Sequence, residues 1–233
     1  MRTITCVAAL ALAAGTAAAD TVRLEFDSVG SGRNVRVSLG SSTFNCFAGQ
    51  LVHTFSNGNG AAAGLSGNIK TFCSDLTQGV TSAGSTYTVT GIQNLPGGSP
   101  MGAAKTQAIY DMYAYAGGQE NGADSDMAAA FQLAIWEVIY DYSGNTSSLS
   151  LSSGDLKAKS ALGLSLSSSI LNKASLLFAA IGSNAAQLGL MGFQNGSFQD
   201  QIAHVQLVPV PMAAMAGLVG LMGAAYVRRR VSR

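Results

Sequence analysis

Asp124-Ser125-Asp126-Met127-Ala128-Ala129-Ala130-Phe131-Gln132-Leu133-Ala134-Ile135-Trp136-Glu137-Val138-Ile139-Tyr140-Asp141-Tyr142 is the stretch whose period decides the fold class of this chain. Ala128, Phe131, Ile135, Val138 and Tyr142 recur at spacings of three and four, so a helix over 126–142 places them on one apolar stripe. Asp124 or Ser125 supplies the N-cap, its side-chain oxygen accepting from amides that the first turn leaves unpaired. Gln132 sits directly beside the stripe. A carboxamide there is costly unless its donors and acceptor are paired, so Gln132 needs a partner or a purpose.

Outward from this helix, 117–123 is a loop and 103–116 a second helix. Further upstream the period falls to two. Val22, Leu24 and Phe26 alternate with polar neighbours, and Val35, Val37 and Leu39 do so again after a Gly-Ser turn. Residues 51–55, 68–73 and 86–92 are further strands between Gly/Asn/Ser clusters. Downstream, the Ser/Leu/Ala-rich run 155–183 holds a third helix around 170–181. Asn195-Gly196, flanked by Phe193 and Phe198, signals a two-residue hairpin leading into a last strand near 202–207. No repeat recurs at a fixed period. The expected fold class is α+β, a mainly antiparallel, β-sandwich-like body with an inserted helical segment.

The 233 residues carry a formal net charge of +1, and its distribution matters more than its size. Arg2, Arg228, Arg229, Arg230 and Arg233 stand at the two ends. Residues 20–207 hold 8 basic and 12 acidic side chains, a net of −4. A mildly acidic body without a Lys/Arg run gives no electrostatic reason to bind nucleic acid. Charged residues make up 11% of the chain, against about 25% in ordinary soluble domains, which argues against a cytosolic enzyme. Residues 1–19 run from Arg2 through an apolar stretch to Ala17-Ala18-Ala19, the layout of a secretory signal peptide with a small-residue cleavage site.

At the other end, Val208-Pro209-Val210-Pro211 precedes the uncharged apolar run 212–227, which Arg228-Arg229-Arg230 follows at once. This reads as a single C-terminal transmembrane helix, short for a hydrocarbon core of about 30 Å, with its arginines cytoplasmic and the body outside. The order resembles the PEP-CTERM sorting signals of Gram-negative bacteria, and more closely their Val-Pro-Leu-Pro-Ala (VPLPA-CTERM) variant. Here Val210 stands where the family has Glu or Leu, and Met212 where the variant has Ala. The resemblance implies that 208–233 is a sorting signal processed by an exosortase-type membrane protease. The protein would be anchored facing the periplasm, then passed to the cell surface or matrix. A plain C-terminal anchor gives the same orientation.

Residues 20–207 retain two cysteines, Cys46 and Cys73, because Cys6 leaves with the signal peptide. An exported pair is a disulfide candidate, stabilising by roughly 3–4 kcal/mol. A second reading starts from Phe72-Cys73-Ser74-Asp75 and Phe131-Gln132-Leu133-Ala134-Ile135-Trp136. These resemble the thioester domains of bacterial surface adhesins, which carry an aromatic-Cys-x-Asp element and a Thr-Gln-x-Ala-Ile-Trp helix; Phe131 replaces the Thr. The resemblance implies that Cys73 attacks the Gln132 carboxamide and releases ammonia. The internal thioester would then capture an amine or hydroxyl on a target surface. Phe72, Phe131 and Trp136 would shield the bond from water, and Asp75 and Glu137 would orient the incoming nucleophile.

Gln78 and Gln107 lack the full Gln-x-Ala-Ile-Trp context, and the family pattern asks for no Cys at position 46. His53 and His204 stand alone on strands, more easily packed or surface side chains than ligands or bases. There is no Cys-x-x-Cys, no His cluster and no phosphate-cradling Gly loop, so neither a metal nor another cofactor is expected. A Cys73 hydrolase has no local signature. The expectation is a non-enzymatic, exported surface adhesin of the biofilm or exopolysaccharide matrix that acts by one covalent capture. Its alternative is a non-catalytic structural exoprotein without a thioester.

Overall fold

The computed structural model describes residues 19–186 and 189–205. The segments expected to be a signal peptide and a C-terminal sorting anchor, including Val208, Pro209, Val210, Pro211, Arg228, Arg229 and Arg230, fall within 1–18 and 206–233 apart from Ala19, and so lie outside the described residues. Among the described residues no helix is long and apolar enough to cross a membrane.

Among the described residues, seven antiparallel strands and three α-helices build an α+β fold. They are β1 (Thr21–Leu39), β2 (Ser42–Ser56), β3 (Gly67–Cys73), β4 (Ser85–Thr90), β5 (Leu156–Ser160), β6 (Leu190–Gln194) and β7 (Gln201–His204), with α1 (Gly102–Ala116), α2 (Ser125–Asp141) and α3 (Ser168–Ala180). The order β2-β3-β7-β6-β4-β1-β5 is joined by a further β1–β2 pairing. The ladder β1-β2-β3-β7-β6-β4 therefore closes on itself. In place of two stacked sheets there is one sheet whose inner face is wrapped shut, which removes most of its free edges.

The long β1–β2 hairpin is what makes this possible. The first part of β1 pairs with β4 from Thr21 to Leu24, while its last part, Val35 to Leu39, pairs with β5. Gly30-Ser31-Gly32, expected to be a turn between two strands, instead lies within β1, where the register with β2 slips between Val29 and Gly32. Gly32 faces Gly49 across the ladder, and the backbones approach so closely that a Cβ on Gly32 would lie 2.4 Å from the Ala48 carbonyl oxygen. The glycines fit because they carry no Cβ. The strand bends there without ending, passing from the closed ring into the part of the sheet that α2 packs against, with α3 lying on α2.

Two cores result. Val22, Leu24, Phe55, Tyr87, Phe193 and Ala203 fill the ring, with Phe55 and Phe193 edge-on at 5.0 Å. The larger core lies between helices and sheet, where Ala129, Ala130, Phe131, Leu133, Ala134 and Trp136 of α2 are all fully buried. Asp124 caps α2 as expected, accepting from the Asp126 and Met127 amides. The hairpin at Asn195-Gly196 is wider than two residues, since the ladder resumes with Phe193 opposite Gln201. Asn195 Oδ1 organises that loop by accepting from the Ser197 and Phe198 amides.

Candidate functional site

Cys73 is the last residue of β3, and opposite it in the ladder stands Gln201, itself opposite Phe193. Directly opposed residues share a face of a sheet, so Cys73 belongs to the inner face of the ring, at the point where the ring meets α2. Gln132 on α2 closes the contact. Its Nε2 donates to the Cys73 carbonyl oxygen at 2.7 Å, and its Oε1 accepts from the Cys73 amide at 2.9 Å. A carboxamide presents one donor and one acceptor side by side, as a backbone peptide does. It thus extends the ladder on the side of β3 where pairing with β2 has ended at Thr71.

The thiol is fixed on its other side by the turn that follows. Cys73 Sγ–H donates to the Asp75 carbonyl oxygen, and the Asp75 amide donates back to Sγ at 3.2 Å. Trp136, one helical turn beyond Gln132, is buried with no hydrogen-bond partner for its indole Nε1–H, which lies beside the Cys73 thiol. Burial pushes the Cys73 thiol well above its ordinary pKa. The Asp75 charge adds to that shift, while the Asp75 amide and the Trp136 indole oppose it. The resting group is the neutral thiol.

Cys73, Gln132, Trp136 and Cys46 all line one cavity of about 330 Å³, whose walls include Phe26, Phe44, Phe47 and Leu51. Such walls keep water sparse around a reactive bond. Cys46 and Cys73 stand as free thiols in this structure, and both line this one cavity. Burial raises the Cys46 pKa to about 11.

The remaining expected residues divide. Phe72 packs edge-on against Phe131 at 5.1 Å, and Phe131 against Tyr113 at 4.6 Å, so the ring in place of threonine belongs to an aromatic cluster beside the site. Asp75 contributes its backbone to the thiol. Its Oδ1 accepts from the Thr77 amide and hydroxyl and from the Gln78 amide, which shapes the turn. Glu137 is not brought to the site. It is fully buried elsewhere, accepting from the Ser150 amide at 2.6 Å, and burial raises its pKa to about 8. Gln107 is engaged by Asp111 and the Ala185 carbonyl.

A line of polar side chains leading to the site had no sequence signal. His53 Nδ1 contacts Thr71 Oγ1 at 3.1 Å, and Thr71 donates to Gln201 Oε1 at 2.8 Å. Gln201 Nε2 reaches the Gln199 carbonyl, and Gln199 Nε2 donates to the Asp75 carbonyl oxygen that also takes the Cys73 thiol. These residues come from β2, β3, β7 and the loop before β7, so only closure of the ring unites them. Among the described residues no cluster of His, Cys, Asp or Glu fits a metal ion.

No known protein family, characterised protein or solved structure matches the chain.

Proposed function

We propose that this is an exported cell-surface or matrix protein, sorted through its PEP-CTERM-like C-terminal segment, that adheres covalently through a Cys73–Gln132 thioester. The observation that carries this reading is the contact of Cys73 and Gln132 across 59 residues of sequence, beside an unpartnered indole and an apolar cavity.

In the bond-forming step Cys73 Sγ adds to Gln132 Cδ. The C–Nε2 bond breaks, and ammonia leaves with the thiol proton. The Cys73 amide already donates to Gln132 Oε1, so it is placed to stabilise the negative charge that oxygen acquires in the tetrahedral intermediate. An incoming amine then attacks the thioester carbonyl, the C–S bond breaks, the sulfur takes a proton from the amine, and an amide to residue 132 remains. A hydroxyl would give an ester by the same course. The acyl group is consumed once, so the protein is not an enzyme by this reading. Its partners would be an exosortase-type protease, the membrane through its C-terminal segment, and amines or hydroxyls on a target surface or exopolysaccharide.

Intact mass of the purified protein is the test. A thioester gives the sequence mass less one ammonia, and Cys73→Ala and Gln132→Ala each abolish that loss. A chain at full mass, in which methylamine modifies nothing at position 132, overturns the covalent reading.

One observation favours a second reading. Both polar atoms of Gln132 are already satisfied by the Cys73 main chain, as expected of a clasp holding β3 against α2 in a non-catalytic structural exoprotein. Full mass in a folded protein supports that alternative.

A further inference from the structure

A cavity of about 640 Å³ shares the turn 75–78 as a wall with the Cys73 cavity. That is within the usual range for a small-molecule or saccharide site. Its walls are the turn, the loop 96–101, the end of α2 and the loop after β6. Asp200 fastens two of these walls together. It is buried, and its two oxygens accept from the Gly97 and Asn195 amides, both at 2.7 Å. The groove is therefore built by a fixed internal clamp.

Its hydrogen-bonding groups are only partly used. Asp75 spends Oδ1 on the turn and leaves Oδ2 without a partner among the described residues. Tyr140 accepts from the Leu76 amide, leaving its own O–H to donate. The Gln194 carboxamide lines the groove with neither end engaged by a described residue. Lys105 lies in the wall with its ammonium on the Ile139 carbonyl at the C-terminal end of α2, where a cation suits the helix dipole. Two carboxylates, Asp75 and Asp200, stand against the one ammonium of Lys105, so the groove carries a formal net charge of −1 and disfavours an anionic ligand. Pro96 and Pro100 add apolar surface beside these groups.

A ligand that suits this arrangement offers hydroxyls, which donate and accept at once, along a backbone with C–H faces for the prolines. We propose that the groove is a binding site for a neutral glycan, with Asp75 Oδ2, Tyr140 Oη and the Gln194 carboxamide meeting its hydroxyls. Binding needs no thioester. It does place the glycan against the residue whose backbone holds the Cys73 thiol.

The test is titration calorimetry of the purified protein with three tetrasaccharides: cellotetraose, maltotetraose and a tetramer of uronic acid. At least one neutral tetramer binds saturably, and the uronate binds more weakly. Gln194→Ala and Tyr140→Phe, the latter removing a single oxygen, each weaken binding by roughly five- to tenfold, the effect of one lost hydrogen bond. Intact mass of the same preparation reports the thioester independently of glycan affinity, so failure of the thioester and failure of the groove are read separately. Absence of saturable binding by both neutral tetramers, preference for the uronate, or unchanged affinity in both groove variants overturns the proposal.

Discussion

The Gln132 carboxamide spans the main chain of Cys73, donating to its carbonyl at 2.7 Å and accepting from its amide at 2.9 Å. One side chain thereby pairs the last donor and acceptor of β3, and it does so from the centre of the most deeply buried helix. The same contact presents the Gln132 carbonyl to a hydrogen-bond donor beside a thiol. Structural clasp and acyl donor are two uses of one geometry, and they predict different consequences of mutation.

Removal of the carboxamide strands two buried backbone groups. Gln132→Ala is expected to lower unfolding free energy by about 2–4 kcal/mol, from two unpaired groups at roughly 1–3 kcal/mol each with partial relaxation. Gln132→Glu in its protonated form keeps one acceptor and one donor and is less damaging at pH 5 than at pH 8. Urea titration of the three proteins at both pH values measures this. Equal stability of wild type and Gln132→Ala would contradict the clasp.

Thiol counting separates the chemistry from the packing. Folded protein at pH 7.5 is expected to react slowly with a thiol reagent, because burial raises the pKa of both Cys46 and Cys73. Rapid denaturation in acid, followed by reagent, exposes both thiols if no bond has formed, and only Cys46 if Cys73 is acylated. Methylamine treatment beforehand returns the second thiol.

The crossing of β1 and β2 offers a test of the fold itself. Gly32→Ala would set a Cβ 2.4 Å from both the Ala48 carbonyl oxygen and the Phe47 ring, and a loss of about 1–3 kcal/mol is expected from the forced shift. Gly64→Ala, with no atom within 4 Å of the added carbon, serves as the control and should change stability by less than about 0.5 kcal/mol. Thermal unfolding of the two variants compares them directly.

What could be read in the sequence was local. The stripe on α2, its Asp124 cap and the alternation in the two halves of β1 are signals within one element. The closure of the ring is not, because it depends on β3 meeting β7 and β4 meeting β6 across long separations. Gly30-Ser31-Gly32 has the composition of a turn, and only the opposing Gly49 makes it a bend within β1. Leu156-Lys157-Ala158-Lys159-Ser160 alternates plainly but lay hidden in a Ser-rich run. At the site, Cys73 and Gln132 were legible as motifs. Glu137 was misassigned because five residues along a helix is about 140° of rotation, which turns it from the face holding Gln132 and Trp136.

Glu137 and His53 give the protein opposing pH limbs. Burial lowers the His53 pKa from 6.5 to about 4, so the unfolded chain binds the extra proton and stability is lost as pH falls from 6.5 towards 4. Glu137 works in the other direction: burial raises it from 4.5 to about 8, the folded state holds the extra proton, and stability is lost as pH rises from 4.5 to 8. Between pH 4.5 and 6.5 the two offset, and above 6.5 Glu137 acts without His53. Wild-type stability should therefore fall between pH 6.5 and 8, with Glu137 contributing a slope of about 1 kcal/mol per pH unit. Glu137→Gln keeps an oxygen for the Ser150 amide and has no proton to lose, so its urea midpoint should be flatter across that window and should gain on wild type as pH rises. A wild-type-to-variant difference that stays constant from pH 6.5 to 8 would mean that Glu137 is ionised in the fold throughout, and that another group neutralises it.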